Sequence, residues 1–367
     1  MGTILLVFFI FVSLVNLIYF FSFFSFSTSG LKNKLHPELP VSVIICAKNE
    51  EENLKNFLPS ILEQNYPEFE VIVINDASSD NTLEVIEEFQ KIDPRIRIVD
   101  VQNNEAFWAN KKYALTLGIK KAKNQHLLFT DADCAPQSKN WIKEMSRNFQ
   151  PGNTIVLGYG GYFQHSGSFL NKLIRFETLL TAIQYFSYAR LGSPYMGVGR
   201  NLAYTSSQFY ELKGFANHLH LRSGDDDLFV NEAATAENTA ICFHPDSITR
   251  SVPKNNFSEW FHQKKRHVSV AGNYKTKHKI LLSAFYIFRV LFWLLFAALL
   301  ILQVYPKIAL SILGIKLITE AFVYFKAADK LNEKDVVWLF PFLDLFLIFL
   351  QLVIFISNLI SKPKHWK

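Results

Sequence analysis

Cysteine is scarce in this chain: Cys46, Cys134 and Cys242 are the only three in 367 residues. They lie far apart and none forms a C-x-x-C pair, which argues against a disulfide framework and a zinc site and fits a reducing cytoplasm. No G-x-G-x-x-G follows an apolar strand and no G-x-x-x-x-G-K-[ST] occurs, so dinucleotide oxidoreductases and P-loop ATPases are disfavoured. No basic helix interleaved with aromatics stands out. The net charge of +6 gathers beside apolar segments, which points to anionic lipid surfaces and to no nucleic-acid partner. Charge is missing altogether from Thr3 to Phe26.

What is abundant is apolar. Half the residues are hydrophobic, with 35 phenylalanines, high for a soluble protein. At 1.5 Å per residue, Thr3 to Phe26 makes about 36 Å of helix, enough to cross a bilayer core. It lacks the basic start and small-residue cleavage site of a signal peptide, so residues 1–28 are expected to be a transmembrane anchor. Apolar runs return at Ala284 to Tyr305, Ile308 to Phe325 and Val336 to Ile360. Residues 284–360 are therefore expected to form a membrane region of two or three helices. The second run carries Lys316 and Glu320 at i,i+4, able to pair; the third holds Pro341 and Asp344, so interfacial placement stays open for either. Lys32 and Lys34 follow the first run, and seven Lys/Arg lie between Lys254 and Lys279, which predicts a cytoplasmic middle. The lysines of KPKHWK fit three crossings plus one interfacial helix better than four crossings.

From Val41 the pattern alternates. VSVIICA, EVIVIN, RIRIVDV and HLLFT are short apolar runs, and amphipathic stretches follow the first three at about Glu51 to Gln64, Asp80 to Lys91 and Ala109 to Lys123. That is the pattern of βαβ units around a parallel sheet buried on both faces, so the fold class is α/β. Ligands bind beyond the carboxyl ends of such strands, where AKNEEEN, NDASSDNT and DADC stand. Asp131 and Asp133, two residues apart on an extended segment, point the same way and suit one hard cation, Mg²⁺ or Mn²⁺, shared with substrate phosphates. Taken alone, Asp76 is as readily an Asx-turn before a helix capped by Ser79 or Asp80, and Lys111 and Lys112 an ordinary solvated helix start.

Taken in order, VSVIICAKNE, INDASSDNT, NKKYALTLG, TDADC, RSGDDDLF and HQKKRH resemble the family-two glycosyltransferases, membrane-associated inverting enzymes with the GT-A fold. The likeness covers about Val41 to Asn273, within an expected cytoplasmic GT-A domain at residues 40–280. The resemblance implies a nucleotide pocket at Ala47 and Glu50, with Asp76 hydrogen-bonding the base and Lys111 near the base or diphosphate. It puts Asp131 on the ribose and sugar side and Asp133 on the metal. It draws the catalytic base from the run Asp225, Asp226, Asp227, with Asp225 or Asp226 as candidates; that run is otherwise an acidic helix start suited to the dipole. Gln263 and Arg266 match the Gln-x-x-Arg-Trp of processive synthases, where the motif contacts acceptor and diphosphate, but His267 replaces the Trp. PYMGVGRNLAY resembles the loop facing the donor sugar, with Gly197, Gly199 and Asn201 at its pattern positions.

These expectations describe a bacterial inner-membrane protein that moves a sugar from a nucleotide-diphosphate donor to a lipid, lipid-linked or glycan acceptor. Transfer to polyprenyl phosphate is the alternative within the class, and a non-catalytic nucleotide-binding membrane scaffold the alternative outside it. Trp260 and Tyr274, between the basic stretch and the next apolar run, are expected at the bilayer interface.

Overall fold

A computed structural model describes residues 2–31, 38–102, 111–221 and 223–360. Helix α1 (Gly2–Ser27) leads into β1 (Val41–Ala47), α2 (Glu51–Leu62), β2 (Phe69–Asp76), α3 (Thr82–Ile92), β3 (Ile96–Val101), α4 (Lys111–Lys121) and β4 (His126–Asp131). β1 and β2 are buried at every residue. Their Val/Ile-rich runs are what a strand covered on both faces requires. The helices between them turn apolar faces inward through Leu54, Leu58 and Ile61, then Val85 and Ile86. β1 pairs in parallel with both β2 and β4, and β2 with β3, so all four carboxyl ends emerge on one edge.

The chain then forms β5 (Cys134–Pro136), α5 (Trp141–Ser146), β6 (Ile155–Leu157), β7 (Gly160–Tyr162), α6 (Phe169–Arg190), β8 (Leu202–Thr205) and α7 (Ser206–Glu211). α8 (Asp227–Ala233), β9 (Thr239–Ile241), β10 (Thr249–Ser251) and α9 (Phe257–Ala271) complete this part. The main sheet has seven strands in the order β3-β2-β1-β4-β8-β6-β9, and a small sheet has the order β5-β10-β7. β8 runs antiparallel to both neighbours, which makes the sheet mixed, though mostly parallel.

Four helices follow: α10 (Thr276–Ile301), α11 (Pro306–Leu331), α12 (Lys334–Val337) and α13 (Phe340–Ile360). Among the described residues α1, α10, α11 and α13 are long and apolar enough to cross a membrane. Asn16 Nδ2 donates to the Phe288 carbonyl at 2.9 Å, and the expected Lys316–Glu320 pair forms, buried. Asp344 is buried against Arg289 and accepts from Tyr324 Oη at 3.0 Å. The turn between α11 and α12, which reads in sequence as a polar break, reaches into the sheet-bearing part of the chain. Glu333, fully buried, lies between Arg175 and Arg250 and accepts from Tyr159 Oη at 2.9 Å.

Candidate active site

The first two strand ends build one wall. Ala47 closes β1, buried, in register with Asn75. Glu50 starts α2: its N–H donates to Thr82 Oγ1 at 2.9 Å and its carboxylate accepts from Asn53 at 2.6 Å. Asp80 caps the α3 start, accepting from the Thr82 N–H at 3.1 Å. Asp76 is a different case. It closes β2, only 5% exposed, and its Oδ2 has no hydrogen-bond partner among the described residues, with Lys48 Nζ 4.0 Å away. Burial raises its pKa against the pull of Lys48 and Lys111. A buried acceptor left open in this way suits the N–H of a bound base.

The third strand end carries the acidic pair. Asp131 is the last residue of β4, and Asp133 stands in the turn before β5. A turn, not the straight extension of the strand, therefore brings them together. Ligand atoms of Asp131, Asp133 and Cys134 lie within 4.8 Å of one another. Burial, and then the Asp131 charge, raise the Asp133 pKa. Cys134 donates to Asp133 Oδ1 at 3.3 Å, and burial pushes its thiol well above the usual range. A protonated thiol beside two carboxylates leaves an oxygen donor set, which fits a hard dication such as Mg²⁺ or Mn²⁺.

Lys111, first residue of α4, joins this wall to the next. Its Nζ lies 2.9 Å from Asp131 Oδ1 and 3.2 Å from Asp225 Oδ2. Burial works against its charge, but Asp131 and Asp225 outweigh it and hold the ammonium firmly protonated. Lys112 is not a solvated helix start. It is 1% exposed and its Nζ donates to the carbonyls of His218, Leu221 and Ser223, at 2.7, 3.1 and 2.8 Å. It thereby fixes the segment entering the acidic run. The residues upstream of Lys111 in the NKK motif, including Asn110, lie outside the described residues.

Gly224, at φ +92° with Leu228 where a Cβ would stand, turns the backbone into that run as only glycine does readily. The three aspartates then face different partners. Asp225 pairs with Lys111. Asp226 accepts from the Gly199 N–H through Oδ2 and the Asp227 N–H through Oδ1, each at 2.7 Å. Asp227 accepts from Tyr274 Oη at 2.6 Å and the Leu228 N–H at 2.7 Å. Burial, with Asp225 adding, pushes Asp226 up to about 6; burial, with Asp226 adding, pushes Asp227 up to about 7. A small cavity between the walls is lined by Lys111, Thr130, Asp131, Gly199, Asp225 and Asp226, with Cys46 and Tyr204 beneath.

Arg200, which the sequence reading passed over, faces the acidic pair. Its guanidinium sits 4.1 Å from the Tyr162 ring centre. Burial opposes its charge, but Tyr162, Cys134, Asp133 and Asp131 together raise its pKa. The only sequence signal was a cation between two glycine-loop positions. Of those positions, Gly199 reaches the site through its N–H, whereas Asn201 turns inward, accepting from Trp141 Nε1 at 3.0 Å and donating to the Tyr159 and Ser247 carbonyls.

α9 carries Gln263 and Arg266. Burial lowers the Arg266 pKa against the pull of Asp225, Asp131 and Asp226, so this residue faces all three carboxylates. Gln263 buries an Oε1 that has no partner among the described residues. His267, in the Trp position, is exposed. Trp260 and Tyr274, expected at a bilayer interface, are not surface side chains: both are buried, at 1% and 7% exposure, and Tyr274 spends its hydroxyl on Asp227.

Residues 42–204 match the family described as Glycosyl transferase family 2. The poly-beta-1,6-N-acetyl-D-glucosamine synthase of Staphylococcus epidermidis is 41% identical over 93 residues, 25% of this chain and 21% of that protein. The putative teichuronic acid biosynthesis glycosyltransferase TuaG of Bacillus subtilis is 27% identical over 146 residues, 38% of this chain and 54% of that protein. The chain thus spans between a fifth and about half of these curated relatives' length. Among solved structures, the mannosyltransferase PcManGT from Pyrobaculum calidifontis, in complex with GDP-Man and Mn²⁺, aligns at a TM-score of 0.58. It covers 92% of this chain and 95% of its own at 18% identity, a likeness of fold.

Proposed function

We propose that the protein, whose residues 42–204 match glycosyl transferase family 2, transfers a sugar, with inversion, from a nucleotide-diphosphate donor to a lipid, lipid-linked or glycan acceptor. The reading is carried by one observation: Lys111 Nζ lies within 3.2 Å of both Asp131 and Asp225, so the strand-end carboxylates and the acidic run flank one cation. GDP-mannose with Mn²⁺, held by the archaeal mannosyltransferase of the same fold, is a donor and metal of the right chemistry.

In this reading Asp76 accepts from the nucleotide base, beside Ala47 and Glu50. Asp133, with Asp131 beside it, would hold Mg²⁺ or Mn²⁺. When bound, such an ion neutralises the diphosphate and eases its departure. Arg200, Arg266 and Lys111 add fixed positive charge on the same side. Asp226 takes the proton of the acceptor hydroxyl on an Oδ as that oxygen attacks the anomeric carbon opposite the diphosphate. A carboxylate at about 6 is well matched to that work near neutral pH. Asp225 is held by Lys111, and Asp227 is occupied by Tyr274. The apolar helices and the basic residues beside them support a bacterial inner-membrane location with this domain cytoplasmic.

The test is a panel of nucleotide sugars offered to the detergent-solubilised protein with Mg²⁺ or Mn²⁺. One donor should release its nucleoside diphosphate, and excess EDTA or Asp133→Ala should abolish metal-dependent donor binding. Full activity in EDTA overturns the metal-dependent reading.

A further inference from the structure

α13 is as apolar as the other three long helices, but it sits differently. The cluster formed by Leu6, Phe9, Val12, Phe292, Leu299 and Ala309 joins α1, α10 and α11 only. Phe340, Leu343, Leu347, Leu350 and Ile354, buried on α13, belong to the cluster that also forms the core of the catalytic part.

Its two ends agree. Near the start, Phe340 packs on Tyr324, with ring centres 5.5 Å apart, and Phe346 packs on Phe169 at the first residue of α6, 5.8 Å away. Near the finish, Asn358 Nδ2 donates to the Lys265 carbonyl of α9 at 2.9 Å. Between them Tyr286 Oη donates to the Ile348 carbonyl at 3.0 Å. A helix of this length standing upright would carry one end about 30 Å from the catalytic part. Both ends of α13 touch it.

The other helices give the level at which α13 meets them. Phe20, Phe285 and Tyr324 cluster there, with Phe20 centred 5.9 Å from Tyr324 and 6.1 Å from Phe285. Beyond that level α1 continues from Phe20 to Gly2, α10 from Tyr286 to the Val304 turn and α11 from Tyr324 back to Pro306. At 1.5 Å per residue these are about 27 Å of helix for α1 and α11 and about 23 Å for α10 before its closing turn, close to the roughly 30 Å of a hydrocarbon core. The side of α13 turned away from the protein is apolar throughout: Phe342, Phe349 and Ile356, at successive i+7 positions, are 76%, 63% and 46% exposed.

We infer that α13 does not cross the bilayer but lies in its plane beneath the catalytic part, with its outer face on the acyl chains of the near leaflet, and that only α1, α10 and α11 cross. The inference rests on the membrane reading of those three helices. An apolar face below and a protein-packed face above is the arrangement an in-plane helix needs, and it leaves Ile360 on the catalytic side.

The experiment uses the full chain in phosphatidylcholine and phosphatidylglycerol liposomes. Phe342→Cys, Phe349→Cys and Ile356→Cys are spin-labelled one at a time, and label depth is read from the balance of oxygen and nickel-chelate accessibility. The native cysteines are buried and do not compete. Val7→Cys, Leu14→Cys and Phe21→Cys on the exposed side of α1 serve as the crossing reference. The α13 labels should share one depth within about 5 Å, one helical turn, whereas the α1 labels should spread over about 21 Å. A comparable spread along α13 overturns the inference. A flat α1 series overturns instead the membrane reading on which it rests.

Discussion

Lys111 and Lys112 are adjacent in sequence and opposite in task, because successive helical residues diverge by about 100°. Lys111→Met should leave Asp131 and Asp225 without the ammonium that bridges them, and donor affinity should fall with little loss of thermal stability. Lys112→Met should strand three carbonyls at about 1–3 kcal/mol for each that finds no water, so the melting temperature should fall first. Donor titration and thermal shift on both variants separate the two. In the acidic run, Asp226→Asn should retain donor binding and lose about 10²- to 10⁴-fold in turnover. Unchanged turnover would move the base elsewhere or mean an acceptor already ionised. Turnover should fall on the acid side with a midpoint near Asp226's value of about 6. Stability runs the other way. Asp226 and Asp227 are both raised above their unfolded values, to about 6 and about 7. Their contribution is therefore full below the ordinary carboxylate range and is lost as pH rises through 6 to 7. Donor-free protein should melt lower at pH 8 than at pH 5, and Asp226→Asn should flatten that slope. The carboxylates were legible because each candidate stands at the end of an apolar run or the start of a helix. Arg200 was not, since its meaning depends on β8 pairing with β4, a contact 70 residues away in sequence.

Alternation of apolar runs and amphipathic stretches made β1 to β4 and their helices readable, for a strand buried on both faces writes its whole length in Val and Ile. β5, β7 and β10 are three residues each, too short to show any period. The small sheet that follows Asp133 was therefore invisible. So was what holds it. Arg250 of β10 lies on Glu333, and Arg175 of α6 reaches both Glu333 and Asp335, with its bonds to Asp335 at 2.7 and 2.6 Å. In sequence Glu333 belongs to KAADKLNEKD, a charged break between apolar runs, and nothing there marks it as buried. Glu333→Ala should leave two guanidinium groups buried without their shared anion, a loss of about 3–5 kcal/mol by the usual cost of breaking a buried pair. Thermal unfolding in detergent measures it. A change below about 1 kcal/mol, the ordinary value of an exposed pair, would mean that water replaces the carboxylate.

Across the whole molecule, the boundary expected from sequence between a catalytic domain at 40–280 and membrane segments on either side is not a boundary in packing. Phe20, Phe23 and Phe26 of α1, Phe285 of α10 and Tyr324 of α11 lie in one cluster with Ile44, Phe129 and Tyr204 of the sheet. Phe26 packs on Phe186 and Phe243, with ring centres 4.9 and 5.4 Å apart, and Tyr324 packs on Phe176 at 5.2 Å. Each such buried aromatic is worth about 1.5–3 kcal/mol, so a handful approaches the about 5–15 kcal/mol that keeps an entire domain folded. The acidic helix is tied across the same line. Asn231 of α8 accepts from the Lys275 N–H at 2.8 Å and meets His278 Nδ1 at 3.0 Å, and Tyr274 holds Asp227. A fragment of residues 38–273 should therefore aggregate or bind a hydrophobic dye without detergent, and it should lose donor affinity, because Asp227 loses Tyr274 and Asn231 loses Lys275 and His278. The full chain in detergent should unfold in one transition that includes the sheet and the first turns of α10. A monodisperse fragment that binds donor as tightly as the full chain would show instead that α6 and α8 hold their places unaided, and that the shared core adds stability the catalytic part does not need.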